Sequence, residues 1–174
     1  MIMKTGIKQE LNSDMIRMSV SATQSDIAGM LTNLPMFEDL DRREIEILSR
    51  HFKLYHVQPG AVLFNEGDAG DFMAIVVEGE VDVVKHPNSR LGVKVATAGI
   101  GKMVGEMALF DGQPRSASAE FPGRARILVL TRGSFEAIVK DYEHVGIGLL
   151  WRFCRALSQR LRLATGQLSQ AMGQ

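Results

Sequence analysis

The sequence predicts a mainly-β domain, an antiparallel sandwich or barrel, with helices on both flanks. Three observations carry this. From Leu54 to Thr131 short apolar runs alternate with turn residues; outside that stretch the apolar spacing is helical; and the breaks between runs are rich in Gly, Pro and Asp. A chain of 174 residues has room for one domain with a sizeable core and some additional helix.

In chain order, residues 1–24 are polar, with Ser19, Ser21 and Thr23 clustered, and read as an extension with helical character around Glu10–Met18. A helix is expected from Ser25 to Leu34, capped by Ser25 or Asp26 and punctuated by Pro35. Leu40, Ile45, Leu48 and Phe52 lie near helical spacing, so Asp41–Phe52 reads as a second helix. Strands are expected at Leu54–Val57, Val62–Asn65, Phe72–Glu78, Val81–His86, Val93–Ala98, Ser116–Phe121 and Ile127–Thr131. Between them fall Pro59-Gly60, Gly67-Asp68, Gly70-Asp71, Gly79, Asn88 and Gly99. The segment Glu80-Val81-Asp82-Val83 alternates polar and apolar, as one buried face requires. Ser134 can cap a helix over Phe135–Asp141. A long helix follows from about Glu143 to Gln170, where Leu150, Phe153, Leu157, Leu161, Ala164 and Leu168 step by three or four into one apolar stripe. Arg152, Arg155, Arg160 and Arg162 line much of its remainder. The chain therefore divides into an extension (1–24), a β-domain with flanking helices (25–142) and a C-terminal helix (143–174).

Composition excludes several function classes. Acidic and basic residues balance at 20 each, without the basic excess of a dedicated nucleic-acid binder. Cys154 is the only cysteine, so neither an internal disulfide nor a thiolate zinc cluster can form. No apolar run approaches the roughly 20 residues of a membrane span, and Met1–Glu10 lacks the apolar core of a signal peptide. A cytoplasmic protein is expected. The four histidines, His51, His56, His86 and His144, are scattered, so no metal site is expected.

Residues 104–119, Val-Gly-Glu-Met-Ala-Leu-Phe-Asp-Gly-Gln-Pro-Arg-Ser-Ala-Ser-Ala, have the make-up of a small anion site. Gly105 lets backbone come close to a ligand. Glu106 to Leu109 are helix formers, and the first amides of a turn starting there have no internal partner. Arg115 adds a permanent charge on a planar fork suited to phosphate oxygens. Glu106 would repel phosphate, but it is a natural acceptor for sugar hydroxyls. One short segment thus offers donors for a phosphate and an acceptor for a ribose.

This stretch resembles the phosphate-binding cassette of the cyclic nucleotide-binding domain family, that of the bacterial cAMP receptor protein and the protein kinase A regulatory subunit. The resemblance extends to Pro59-Gly60, Leu63-Phe64, Glu66-Gly67-Asp68, Gly70-Asp71 and Glu78-Gly79-Glu80-Val81, and to residues 127–138, covering roughly Ser25 to Gln170. It implies an antiparallel β jelly roll, a double-stranded β-helix, with N-terminal helices and a long C-terminal helix. It also implies a ligand set. Glu106 would bind the ribose 2′-hydroxyl and Arg115 the cyclic phosphate, with the amides of Met107 and Ala108 completing the phosphate site. Ser116 would bond phosphate or base, Val83 and Val95 would wall the pocket, and Gly105, Val104 and Ala117 would complete the ligand-binding set.

The departure lies at the end. In the bacterial regulators a winged helix-turn-helix follows the long helix, whereas here the sequence stops soon after Gln170. The expectation is a stand-alone receptor, not an enzyme, that binds a cyclic mononucleotide and neither DNA nor membrane. It would signal by repositioning its C-terminal helix. The ligand expected is cAMP, by analogy with bacterial relatives; Ser116 also suits cGMP. The helix has two open readings, a lid over the base and the seam of a homodimer. The competing functions are a ligand-independent interaction module on the same fold and an enzyme on a cupin-like barrel.

Overall fold

The computed structural model describes residues 22–86 and 92–172. The helical character expected around Glu10–Met18, and the turn at Asn88, lie outside the described residues. The chain forms two compact units that divide between Ser134 and Phe135.

The first unit opens with helix α1 (Gln24–Thr32), a 3-10 turn at Pro35–Phe37 and helix α2 (Arg42–Ser49). Each α-helix begins in a capping box. Thr23 caps α1 and Asp41 caps α2, with Asp26 and Glu44 reaching back to the cap amides. The cap of α1 is therefore Thr23, and Asp26 is its reciprocal partner three residues on. Local side-chain bonding wins here over the later serine.

Among the described residues eight strands follow: β1 (Lys53–Val57), β2 (Val62–Phe64), β3 (Phe72–Glu78), β4 (Val81–Lys85), β5 (Val93–Ala98), β6 (Met103–Val104), β7 (Ser118–Glu120) and β8 (Ala125–Thr131). Helix α3 (Glu106–Asp111) lies between β6 and β7. The strands build two antiparallel sheets, ordered β1-β8-β3-β6 and β2-β7-β4-β5. The pairings nest, β1 with β8, β2 with β7, β3 with β6 and β4 with β5. One long hairpin has been rolled on itself, which is the jelly roll.

The core lies between the sheets. Alternate residues of β3 (Phe72, Ala74, Val76) and β8 (Ala125, Ile127, Val129) meet Leu63, Phe64, Val81, Val104, Ala119 and Phe121. The other face of β3 and β8 is buried as well, through Met73, Ile75, Leu128 and Leu130. That explains why these two strands read as unbroken apolar runs. Strand β5 is the opposite case, exposed from Val93 to Thr97. Its pairing with β4 slips between Val83, opposite Ala96, and Val84, opposite Lys94, which leaves Val95 as a bulge.

The second unit carries most of helix α4 (Arg132–Asp141) and all of α5 (Glu143–Met172). The start of α4 is held by the Thr131 hydroxyl, which accepts from the amide of Ser134 at 3.1 Å; Thr131, not Ser134, supplies the capping oxygen. The two helices meet closely. A Cβ on Gly146 would come within 2.7 Å of Val139 Cα, and the rings of Phe135 and Phe153 stand 6.3 Å apart. From Ser158 to Met172 every residue of α5 is exposed. No helix among the described residues is long and apolar enough to cross a membrane.

Candidate functional site

Helix α3 begins where the chain reverses after β6. Gly105 sits at φ +78°, a left-handed conformation that favours glycine, and acts as N-cap. A side chain there would also strike Arg115 Nη1 at 2.5 Å and Phe64 Cε1 at 2.9 Å. Glu106, the first residue of α3, is 1% exposed. Gly112, also left-handed, ends the helix, and the chain returns through Pro114 to Arg115.

Arg115 is 3% exposed. Its backbone is pinned to the β2–β3 loop: its amide donates to the Asp68 carbonyl at 2.8 Å, and its carbonyl accepts from Gly67 N at 2.9 Å. Its Nη1 donates to the Gly105 carbonyl at 2.7 Å. Its Nε and Nη2 make no hydrogen bond among the described residues. Those two atoms form one edge of the guanidinium, the edge that grips a carboxylate or phosphate with two parallel bonds. Burial pushes the guanidinium down to about 10, opposed by the nearby charges of Asp71, Asp68 and Glu106. It is charged at neutral pH. A buried cation with two unused donors on one edge is costly to leave so, and a bound anion removes that cost.

Ser116 and Met107 are exposed beside this group, with the Ser116 hydroxyl donating to Met107 Sδ at 3.8 Å. Ala108 and Ala117 are buried. Val104 belongs to the core between the sheets, and Val83 packs against that core while half-buried. The bulged Val95 is 55% exposed. Gly105, Glu106, Met107, Ala108, Arg115 and Ser116 thus converge around the start of α3, whereas Val95 stands open to solvent.

Four neighbours escaped the sequence reading. Phe64 and Phe72 present their rings to Arg115, with Cζ 4.1 and 4.5 Å from the centroids. Gly70 lets the guanidinium lie against the loop, since a Cβ there would meet Arg115 Cζ and Nε at 2.6 Å. Arg132 Nη2 donates to the Ala108 carbonyl of α3 at 2.8 Å. The only signal available was indirect: a buried arginine needs polarizable apolar neighbours, but sequence does not say which phenylalanines supply them.

Comparison with known proteins agrees with this geometry. The model of the cyclic nucleotide-binding domain matches residues 54–142. The cAMP-dependent protein kinase regulatory subunit of Yarrowia lipolytica is 32% identical over 111 residues, 64% of this chain and 29% of that protein. The CRP-like cAMP-activated global transcriptional regulator of Mycobacterium tuberculosis is 26% identical over 141 residues, 80% of this chain and 61% of that one. The chain thus spans less than two thirds of either relative. Among solved structures, a cyclic nucleotide-binding domain from Methylobacillus flagellatus superposes with a TM-score of 0.75 at 26% identity, covering 85% of this chain and 83% of the other. With the nested eight-strand roll, the left-handed Gly105, the buried Glu106 and the open edge of Arg115, the chain belongs to the cyclic nucleotide-binding domain family.

Proposed function

We propose that this protein is a cytoplasmic cyclic nucleotide receptor in its own right, without catalytic activity, and that its ligand is cAMP. The observation that carries the reading is the Nε–Nη2 edge of Arg115, buried, charged and without hydrogen bonds among the described residues. The cyclic phosphate takes this edge, and the amides of Met107 and Ala108 at the start of α3 complete its coordination. Glu106 accepts from the ribose 2′-hydroxyl. Ser116 turns its hydroxyl from Met107 to the phosphate or the base, while Val83, Val95, Val104 and Ala117 border the nucleoside. The names of the relatives, a cAMP-dependent kinase subunit and a cAMP-activated regulator, support the choice of base.

Signalling runs through residues 143–174. Ligand shifts a helix equilibrium only by its preference for one helix position. The stripe of Leu150, Phe153, Leu157, Leu161, Ala164 and Leu168 repeats at the spacing of a two-stranded seam. Most of it is uncovered, with Leu161 69% and Leu168 60% exposed, which supports a homodimer through α5 over a lid. Calorimetric titration with cAMP, cGMP and a cyclic dinucleotide tests the reading. Saturable binding of cAMP, tighter than the other two, is expected. No heat with any of the three would leave the interaction-module reading in its place.

A further inference from the structure

The environment of the Arg115 guanidinium contains a device that the phosphate-site reading does not itself require. A buried guanidinium is ordinarily held by carboxylates. Here Asp71, Asp68 and Glu106 lie near enough to favour the charge, yet none bonds Nε or Nη2. The group rests instead against two phenyl rings. Cζ stands 4.1 Å from the Phe64 centroid and 4.5 Å from that of Phe72, and the centroids are 6.1 Å apart. Those three distances put the rings at about a right angle as seen from Cζ, at the separations where a ring quadrupole attracts a cation. They form a corner, not a sandwich. The rings are themselves edge-to-face, with 64° between their planes, and both are buried in the core between the sheets. The corner is therefore as rigid as the core that holds it.

Three further restraints fix the orientation. Nη1 is tied to the Gly105 carbonyl at 2.7 Å. The Arg115 backbone is tied to Gly67 and Asp68. Gly70 closes the remaining side, with no room for even a methyl group.

We infer that Phe64 and Phe72 are positioning residues of the phosphate site. They hold the Arg115 guanidinium by its cation–π attraction in the one orientation that leaves the Nε–Nη2 edge open, and away from the competing carboxylates of Asp68 and Asp71. The inference rests on the reading of Arg115 as the phosphate partner. A ring acts this way without taking up the guanidinium's hydrogen-bond donors, whereas a carboxylate would satisfy them and compete with the ligand.

The test varies ring electronics at nearly constant shape. Phe64 and, separately, Phe72 are replaced in the full chain by mono-, di- and trifluorinated phenylalanine. Binding of cAMP is measured by calorimetry in the wild-type and Arg115→Ala backgrounds. Affinity is expected to fall stepwise with fluorination, reaching about tenfold at the trifluorinated ring, the scale of a desolvated cation–π contact. The melting temperature of the free protein should fall only modestly along the series, as the ring contact weakens, with folding retained. On the Arg115→Ala background the same series is expected to be flat, since no cation remains. In the free protein the Arg115 Nε proton should resonate upfield and move downfield with each fluorine. A flat series on the wild-type background, while Arg115→Ala still weakens binding, overturns the positioning role and leaves the phosphate assignment standing. Arg115→Ala binding like wild type overturns both.

Discussion

Replacing Arg115 by alanine separates two quantities that usually fall together, ligand affinity and stability of the free fold. In the free protein the guanidinium gains one charge-assisted hydrogen bond to the Gly105 carbonyl, about 1.5–3 kcal/mol. It also gains two ring contacts, about 0.5–2 kcal/mol each from exposed to desolvated settings. Against these stand two buried donors without partners, at about 1–3 kcal/mol each. The terms offset, so Arg115→Ala is expected to leave the free protein within about 2 kcal/mol of wild type. Binding is expected to behave differently, because a cyclic phosphate at the proposed edge would satisfy both orphaned donors at once. Losing one partner of a buried charge pair costs about 2–5 kcal/mol. With cAMP at about 100 times the wild-type Kd, the wild type gains about 2.7 kcal/mol of stability and the variant less than about 1. For a domain of this size, about 2–4 °C per kcal/mol makes the difference visible in a melting curve. Melts with and without cAMP, joined to calorimetry, measure both quantities. A variant as strongly stabilised by cAMP as wild type refutes the phosphate assignment. A variant that no longer folds refutes the ledger.

Other perturbations probe the neighbouring parts. Glu106→Gln should narrow the gap between cAMP and its 2′-deoxy analogue, because an amide oxygen accepts a hydroxyl proton less strongly than a carboxylate; wild type binding both ligands alike would remove Glu106 as ribose acceptor. Gly70→Ala places a methyl 2.6 Å from Arg115 Cζ and should displace the guanidinium, costing about 1–3 kcal/mol of overpacking and at least as much in cAMP affinity by calorimetry; unchanged affinity would show that the arginine does not need its observed place. Affinity for cAMP should stay level below about pH 10 and fall as the pH rises through it, since the anion needs the charged guanidinium whose pKa burial depresses to about 10; a decline complete by pH 8 would point to another group. Leu157→Glu should dissociate the proposed dimer, because an unpaired charge in an apolar seam is costly; light scattering that finds wild type monomeric with and without cAMP would favour the lid.

The legibility of the fold in the sequence followed the range of the interactions involved. Strand β3 agrees with its expected span, Phe72–Glu78, because burial on both faces makes the whole strand apolar between polar ends. Strand β6 was missed, since two residues, Met103 and Val104, are too few to show any period. Both corrected caps fell earlier than expected, at Thr23 and Thr131, because several hydroxyls compete near each helix start and only geometry selects among them. The cassette was readable because Gly105, Glu106 and Arg115 belong to one short continuous segment, the start of α3 and the turn after it. Its aromatic corner was not, because Phe64 and Phe72 come from strands brought to Arg115 by the roll. The bulge at Val95 was equally hidden: its signature is a slip in pairing, and β5 reads as an ordinary alternating strand.

That bulge has a bearing on how the protein behaves in a crowded solution. Among the described residues strand β5 ends its sheet, with no neighbouring strand on one row of its backbone groups, and such a row is a template on which a second chain can pair and begin a fibril. Val95 breaks the regular spacing of that row. Lys94, bonded to Asp82 at 3.4 Å, keeps a charge beside the break. A straight strand from another copy meets a kink and a cation where it would need a flat ladder. The irregular edge thus fits the way sheets guard against edge-to-edge pairing, and deleting Val95 to restore the register is expected to raise the tendency to aggregate.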